Sequence, residues 1–148
     1  REFGFDYASD GRGTHPFQPV DARGDPLGVP QLPTTLPTLD ELIGLAGCTT
    51  ENVHERLLAM TAQDRRDHVF TLHAELEGMA LLPVMERLIA GWREQGYELI
   101  STGQYFDRLD TSTLPFCEVD WGTLAGRSGT LLKQGAPYLA NLEQSLRR

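Results

Sequence analysis

The sequence predicts an α/β fold organised around a parallel sheet or barrel, and three observations carry that expectation. Val69-Phe70-Thr71-Leu72 is a short β-prone run of the kind buried on both faces of a parallel sheet. After Gly78, residues Leu81, Val84, Met85, Leu88 and Trp92 recur at intervals of three and four, the stripe of a helix facing a core. Tyr97-Glu98-Leu99-Ile100 then reads as another strand, followed by a short helix from Ser101. Strand, helix, strand, helix at these lengths implies right-handed crossover units.

In chain order, Phe3 to Ser9 reads as a strand with apolar residues at alternate positions. It ends in the polar turn Ser9-Asp10-Gly11-Arg12-Gly13. Residues 14–37 are loop-like and studded with proline and glycine. Gln31 to Pro37 cannot be a central strand or a helix, because proline removes backbone donors and fixes φ. Thr38-Leu39-Asp40-Glu41 is a capping box opening a short helix to about Ala46. Thr49 or Thr50 caps a second helix carrying Val53, Leu57 and Met60 on one stripe. Asp64-Arg65-Arg66-Asp67 is a charged turn, and neither His54 nor His68 is assigned a role.

Pro83 is tolerable in the first turn of the helix that follows Gly78, and Gly96 closes it. Ser101-Thr102-Gly103-Gln104 is a second capping box. Beyond Thr111 the texture changes to two extended arms, Val119 to Arg127 and Thr130 to Gln134, joined through a Gly-Arg-Ser-Gly turn. Pro137 to Arg148 places Tyr138, Leu139, Leu142 and Leu146 on one helical side, suited to docking on its own domain, on another subunit, or at a membrane surface. The length is about one domain's worth, with residues 136–148 expected as a helical extension.

Composition narrows the partners. Thirteen basic residues against twenty-one acidic ones leave a net charge of −8, which argues against a nucleic-acid groove and gives no polybasic attraction to lipid. Cys48 and Cys117 stand far apart in no paired motif and read as reduced cytoplasmic thiols. No apolar run approaches the ~20 residues of a membrane span. A chain that begins without methionine, almost directly in a strand-like stretch, reads as a piece of a longer protein.

The stretch with chemical content is Thr71-Leu72-His73-Ala74-Glu75-Leu76-Glu77-Gly78. If it stays extended, His73, Glu75 and Glu77 share one face. An imidazole and carboxylates at the carboxyl end of a strand are where α/β enzymes place catalysis. The plainer alternative is a strand-end histidine with solvated neighbours.

Three segments occur here in one order: Tyr7-Ala8-Ser9-Asp10-Gly11-Arg12-Gly13, Pro33-Thr34-Thr35-Leu36-Pro37-Thr38-Leu39-Asp40-Glu41-Leu42-Ile43-Gly44, and Thr71 to Gly78. With Asp120 to Arg127, the set resembles the carboxyl-terminal half of the formamido-sugar deformylases of the polysaccharide deacetylase (NodB-homology) superfamily. The resemblance runs from about Phe3 to Gly135. It implies the second half of a distorted (β/α)₇ barrel, with the amino-terminal half absent.

It also implies a metal-dependent amidohydrolase that removes a formyl group from a lipid-linked 4-formamido sugar, in lipopolysaccharide modification. His73 matches the family's general acid, and Asp10 the aspartate that orients and tunes it. Arg12, Glu75 and Glu77 are candidate substrate contacts. The family's Leu-x-His is here Thr71-Leu72-His73, which departs at its first position. The divalent metal's His-x-x-x-His pair is not in this sequence, so its ligands are expected on the missing half or a second subunit. The implied location is cytoplasmic, peripheral at the inner membrane. Rival readings are an N-deacetylase of another cell-surface glycan and a non-catalytic sugar-binding or interaction module.

Overall fold

Prolines decide how the first third of the chain is laid out. The structure, a computed structural model, describes residues 4–138. Pro30 and Pro33 have no N–H to donate, so the segments around them pair through isolated bridges: Ala8 with Gln31, Phe17 with Gln31, and Arg12 with Thr34. The expected strand over Phe3 to Ser9 is corrected accordingly. Within this stretch Ala8 forms an isolated bridge rather than part of a strand, held by Ala8 N–H to the Pro30 carbonyl (2.9 Å) and Leu32 N–H to the Ala8 carbonyl (2.8 Å).

The sheet is three-stranded and mixed. Strand β1 (Gln18–Val20) lies parallel to β2 (Phe116–Gly122), which pairs antiparallel with β3 (Leu131–Pro137). The β2–β3 hairpin bears out two extended arms after Thr111 but shifts them. The first begins at Phe116 and ends at Gly122 rather than running from Val119 to Arg127, and the second extends to Pro137, with register irregular between Cys117 and Val119. Phe17, Val20, Leu32 and Cys117 are buried around this sheet, and both Cys48 and Cys117 are free thiols. Of the expected terminal helix, Pro137 closes β3 and residues 139–148 lie outside the described residues.

Among the described residues, four α-helices contribute the rest: α1 (Leu39–Leu42), α2 (Val53–Gln63), α3 (Leu82–Glu94) and α4 (Thr102–Asp107). The periodic stripe behaves as its spacing requires, with Val84, Leu88 and Trp92 buried on α3 against Val53 and Leu57 of α2. Pro83 sits in the first turn of α3, and Gly96, at φ +88°, lets the chain leave its end. Both partners of the second capping box are in place on α4: Gln104 N–H donates to Ser101 Oγ and Ser101 N–H to Gln104 Oε1. Helix α1 is shorter than expected. It stops at Leu42, because Gly44 (φ +90°) and Ala46 (φ 48°) turn the backbone out of helical angles.

Two further expectations are corrected. Val69 to Leu72 is extended, tied by Thr35 N–H to the Val69 carbonyl (3.0 Å), but it joins no strand ladder. Tyr97 to Ile100 likewise forms no strand; among the described residues, Glu98, Leu99 and Ile100 make no backbone hydrogen bond. No helix among the described residues is long and apolar enough to cross a membrane.

Candidate functional site

His73 stands where the extended segment turns into a helix. Its carbonyl accepts from Leu76 N–H (2.8 Å) and Glu77 N–H (2.9 Å). Its own N–H, left over at a helix start, donates to the Glu77 carboxylate at 2.7 Å. A wide turn over Leu76–Ala80 follows and leads into α3. This corrects the shared face of His73, Glu75 and Glu77: beyond His73 the chain coils, so alternation no longer applies. Glu75 is exposed, whereas Glu77 is only 2% exposed, with one oxygen on His73 N–H and the other without a hydrogen-bond partner.

The imidazole itself is one-third exposed. Its Nδ1 lies 3.5 Å from Oδ1 of Asp40 on α1, close enough for an ion pair but outside hydrogen-bond geometry, and it is shielded from solvent with no other partner. Asp10, the acid expected beside His73, is exposed and makes no hydrogen bond or ion pair among the described residues. The acid that the fold does bring there is Asp40. Sequence reasoning passed over it as a first-turn residue of the Thr38 capping box, and nothing local in the sequence joins positions 40 and 73.

Arg12 is directed inward. Its Nη1 donates to the Leu36 carbonyl and its Nη2 pairs with Glu41 Oε1, both at 2.5 Å. Glu41 is 3% exposed; Oε1 also faces Arg127 at 3.4 Å, and Oε2 accepts from Thr38 N–H at 3.0 Å. The acid half of the Thr38 capping box is therefore formed, while the Thr38 hydroxyl makes no hydrogen bond. Arg12 thus cross-links the opening turn, the Pro33–Pro37 segment and α1. Thr71 contributes to the same seam through its hydroxyl, 2.6 Å from that of Thr34.

An apolar groove of about 380 Å³ lies between residues 67–72 and 97–102, with Phe70, Trp92 and Leu99 among its walls. Leu72 lines it and His73 does not. At its rim, burial first and then the neighbouring Asp67 carboxylate push the Tyr105 phenol up to about 12. Both ring nitrogens of His68 are engaged, with Thr35 and the Asp64 carbonyl, which fits a structural residue.

No group of three or more His, Cys, Asp or Glu among the described residues is placed to hold a metal ion. The described residues therefore do not fit the divalent metal that the resemblance implies.

No family model matches the chain. Over 137 residues, 92% of its length, it is 34% identical to a protein of Shewanella sediminis named "Probable 4-deoxy-4-formamido-L-arabinose-phosphoundecaprenol deformylase ArnD". Over 132 residues, 89% of its length, it is 28% identical to a protein of the same name from Wigglesworthia glossinidia brevipalpis. The chain spans 42% and 45% of the lengths of these relatives. The resemblance read from the motifs therefore holds: along nearly its whole length, this chain is similar to part of the proteins named as formamido-arabinose deformylases.

Proposed function

We propose that the chain is one portion of a hydrolase that removes the formyl group from a lipid-linked 4-formamido sugar, with His73 as the proton donor. The observation that carries this reading is the 34% identity over 137 of 148 residues, a span that necessarily takes in His73. In this reading residues 1–135 are the second half of a deacetylase-type barrel, completed by an amino-terminal half or a second subunit. The implied divalent metal is bound by residues outside this chain. Work on a lipid-carried sugar would bring the protein to the cytoplasmic membrane face as a peripheral component.

The chemistry explains why a histidine is wanted. Water adds to the formyl carbon, the C–N bond breaks, and formate and a free amine leave. An amine expelled as an anion is very unstable, so the step needs a proton delivered to nitrogen as the bond breaks. A positioned imidazolium supplies it, for typically ~10²–10⁴ in rate. His73 suits the task in having an anchored backbone and a partly open ring.

The test combines this chain with the amino-terminal part of the Shewanella relative, a divalent metal and a lipid-linked 4-formamido sugar, and measures released formate. Formate should appear only with both portions present, and His73→Ala should reduce its release by about 10²–10⁴. Undiminished release from His73→Ala would remove the proton-donor role. No release from any combination would favour the second reading, a non-catalytic sugar-binding or interaction module, to which the exposed and unpaired Asp10 already lends weight.

A further inference from the structure

We infer that Asp40, not Asp10, is the positioning residue of His73, holding the imidazole as its Nδ1–H tautomer and leaving Nε2 as the atom that exchanges a proton. The role of Nε2 in turnover rests on the proposed function; the pairing of Asp40 with His73 does not.

A neutral imidazole carries one N–H, and which nitrogen bears it follows from what each nitrogen faces. Nδ1 faces a carboxylate 3.5 Å away, is cut off from water and has no competing hydrogen-bond partner. A lone pair turned toward Asp40 would meet like charge, whereas an N–H turned toward it is attracted. Nε2 makes no hydrogen bond among the described residues, so nothing opposes that choice from the other side of the ring.

Both partners stand on fixed ground. Glu77 holds the His73 backbone N–H, and two further backbone bonds hold its carbonyl. Asp40 lies in α1 between Leu39, which is fully buried, and Glu41, which is tied to Arg12, Arg127 and Thr38 N–H. Of the other charged groups, Glu77 addresses the His73 backbone, Glu41 is paired with Arg12 and Arg127, and exposed Glu75 and Asp10 make no hydrogen bond or ion pair with the ring. Among the described residues, Asp40 alone is placed to orient the imidazole.

Nitrogen-15 NMR of the 148-residue chain, labelled at histidine, reads the tautomer directly, with His73 assigned from the signals lost in His73→Gln. The native chain should show the Nδ1–H form. Asp40→Ala should lose that preference and move toward Nε2–H, Asp40→Glu should restore it at least in part, and Asp10→Ala should leave it unchanged. The amide spectrum of each variant reports whether the fold is kept. If Asp40→Ala leaves the tautomer as it was, or if Asp10→Ala is the variant that shifts it, the assignment is overturned. Asp40→Ala losing its native amide spectrum would make Asp40→Glu decisive, since failure of that folded variant to retain Nδ1–H also overturns the assignment. The readout needs no turnover: a tautomer that follows Asp40 without formate release keeps the pairing and discards the deformylase reading.

Discussion

The α2–α3 pair and the seam around Glu41 lie at similar depth, yet different forces close them. Between the helices, Leu57, Val84, Leu88 and Trp92 meet through apolar contact, and Thr61 and Gln95 satisfy each other at the far end. Around Glu41, one carboxylate from α1 holds two guanidinium groups that arrive from the opening turn and from the β2–β3 loop. The first contact is distributed over many weak terms and degrades gradually. The second concentrates charge at one buried point and fails abruptly when a partner is removed.

That contrast is broken most sharply at Arg12. Arg12→Ala leaves the nearly buried Glu41 carboxylate with Thr38 N–H on Oε2 and, as its charged partner among the described residues, Arg127 at 3.4 Å from Oε1; breaking a buried pair from one side typically costs ~3–5 kcal/mol. Urea unfolding of this variant should show a loss of that size, with the double variant Arg12→Leu/Glu41→Leu recovering much of it, because the charge then left without Glu41 is that of half-exposed Arg127, which water can solvate. A loss below about 1 kcal/mol would mean that the pair is solvated and that the seam does not behave as a buried one.

The same contrast explains what was legible in the sequence. The α3 stripe, Pro83, Gly96 and the Ser101–Gln104 box are local statements, since each residue's partners lie within a turn or two, and the structure follows them. The β2–β3 arms were legible too, as extended runs around a glycine turn. What was not legible depends on distant pairing. Val69 to Leu72 and Tyr97 to Ile100 have strand composition, but a strand needs a neighbour with free donors, and none pairs with them among the described residues. At the candidate site, His73 was singled out by type and position. Asp40 could not be, because 33 residues and a helix start separate it from the ring it faces.

A smaller effect probes how closely the apolar contact is fitted. A Cβ built on Gly91 of α3 would lie 2.6 Å from Leu58 Cδ1 on α2, so glycine is what permits this approach. Gly91→Ala gains about 0.8–1 kcal/mol of helix propensity but overpacks the interface, which typically costs ~1–3 kcal/mol. The obstacle is a flexible side chain, so a net destabilisation of roughly 0–2 kcal/mol is expected, reversed when Leu58→Ala is added. A stabilised single variant would show that the helices separate without cost and that their contact is loosely packed.

The mildest test concerns Tyr105, where the two kinds of interaction meet at one group. Burial disfavours the phenolate, and Asp67 disfavours it further by repulsion and by accepting a hydrogen bond from the neutral phenol O–H; together they raise the phenol from 10.0 to about 12. The folded protein therefore holds this proton after the unfolded chain has released it. The associated stability is fully present below pH ~10 and is lost as pH rises through about 12. In an alkaline absorbance titration, subtracting Tyr105→Phe from the native chain should isolate a phenol that ionises late. Asp67→Asn should bring its titration part of the way back and no further, because burial is the larger cause and remains. A complete return to the ordinary value in Asp67→Asn would reverse that order and make the rim of the groove an electrostatic feature, closer in kind to the Glu41 seam than to the helix pair.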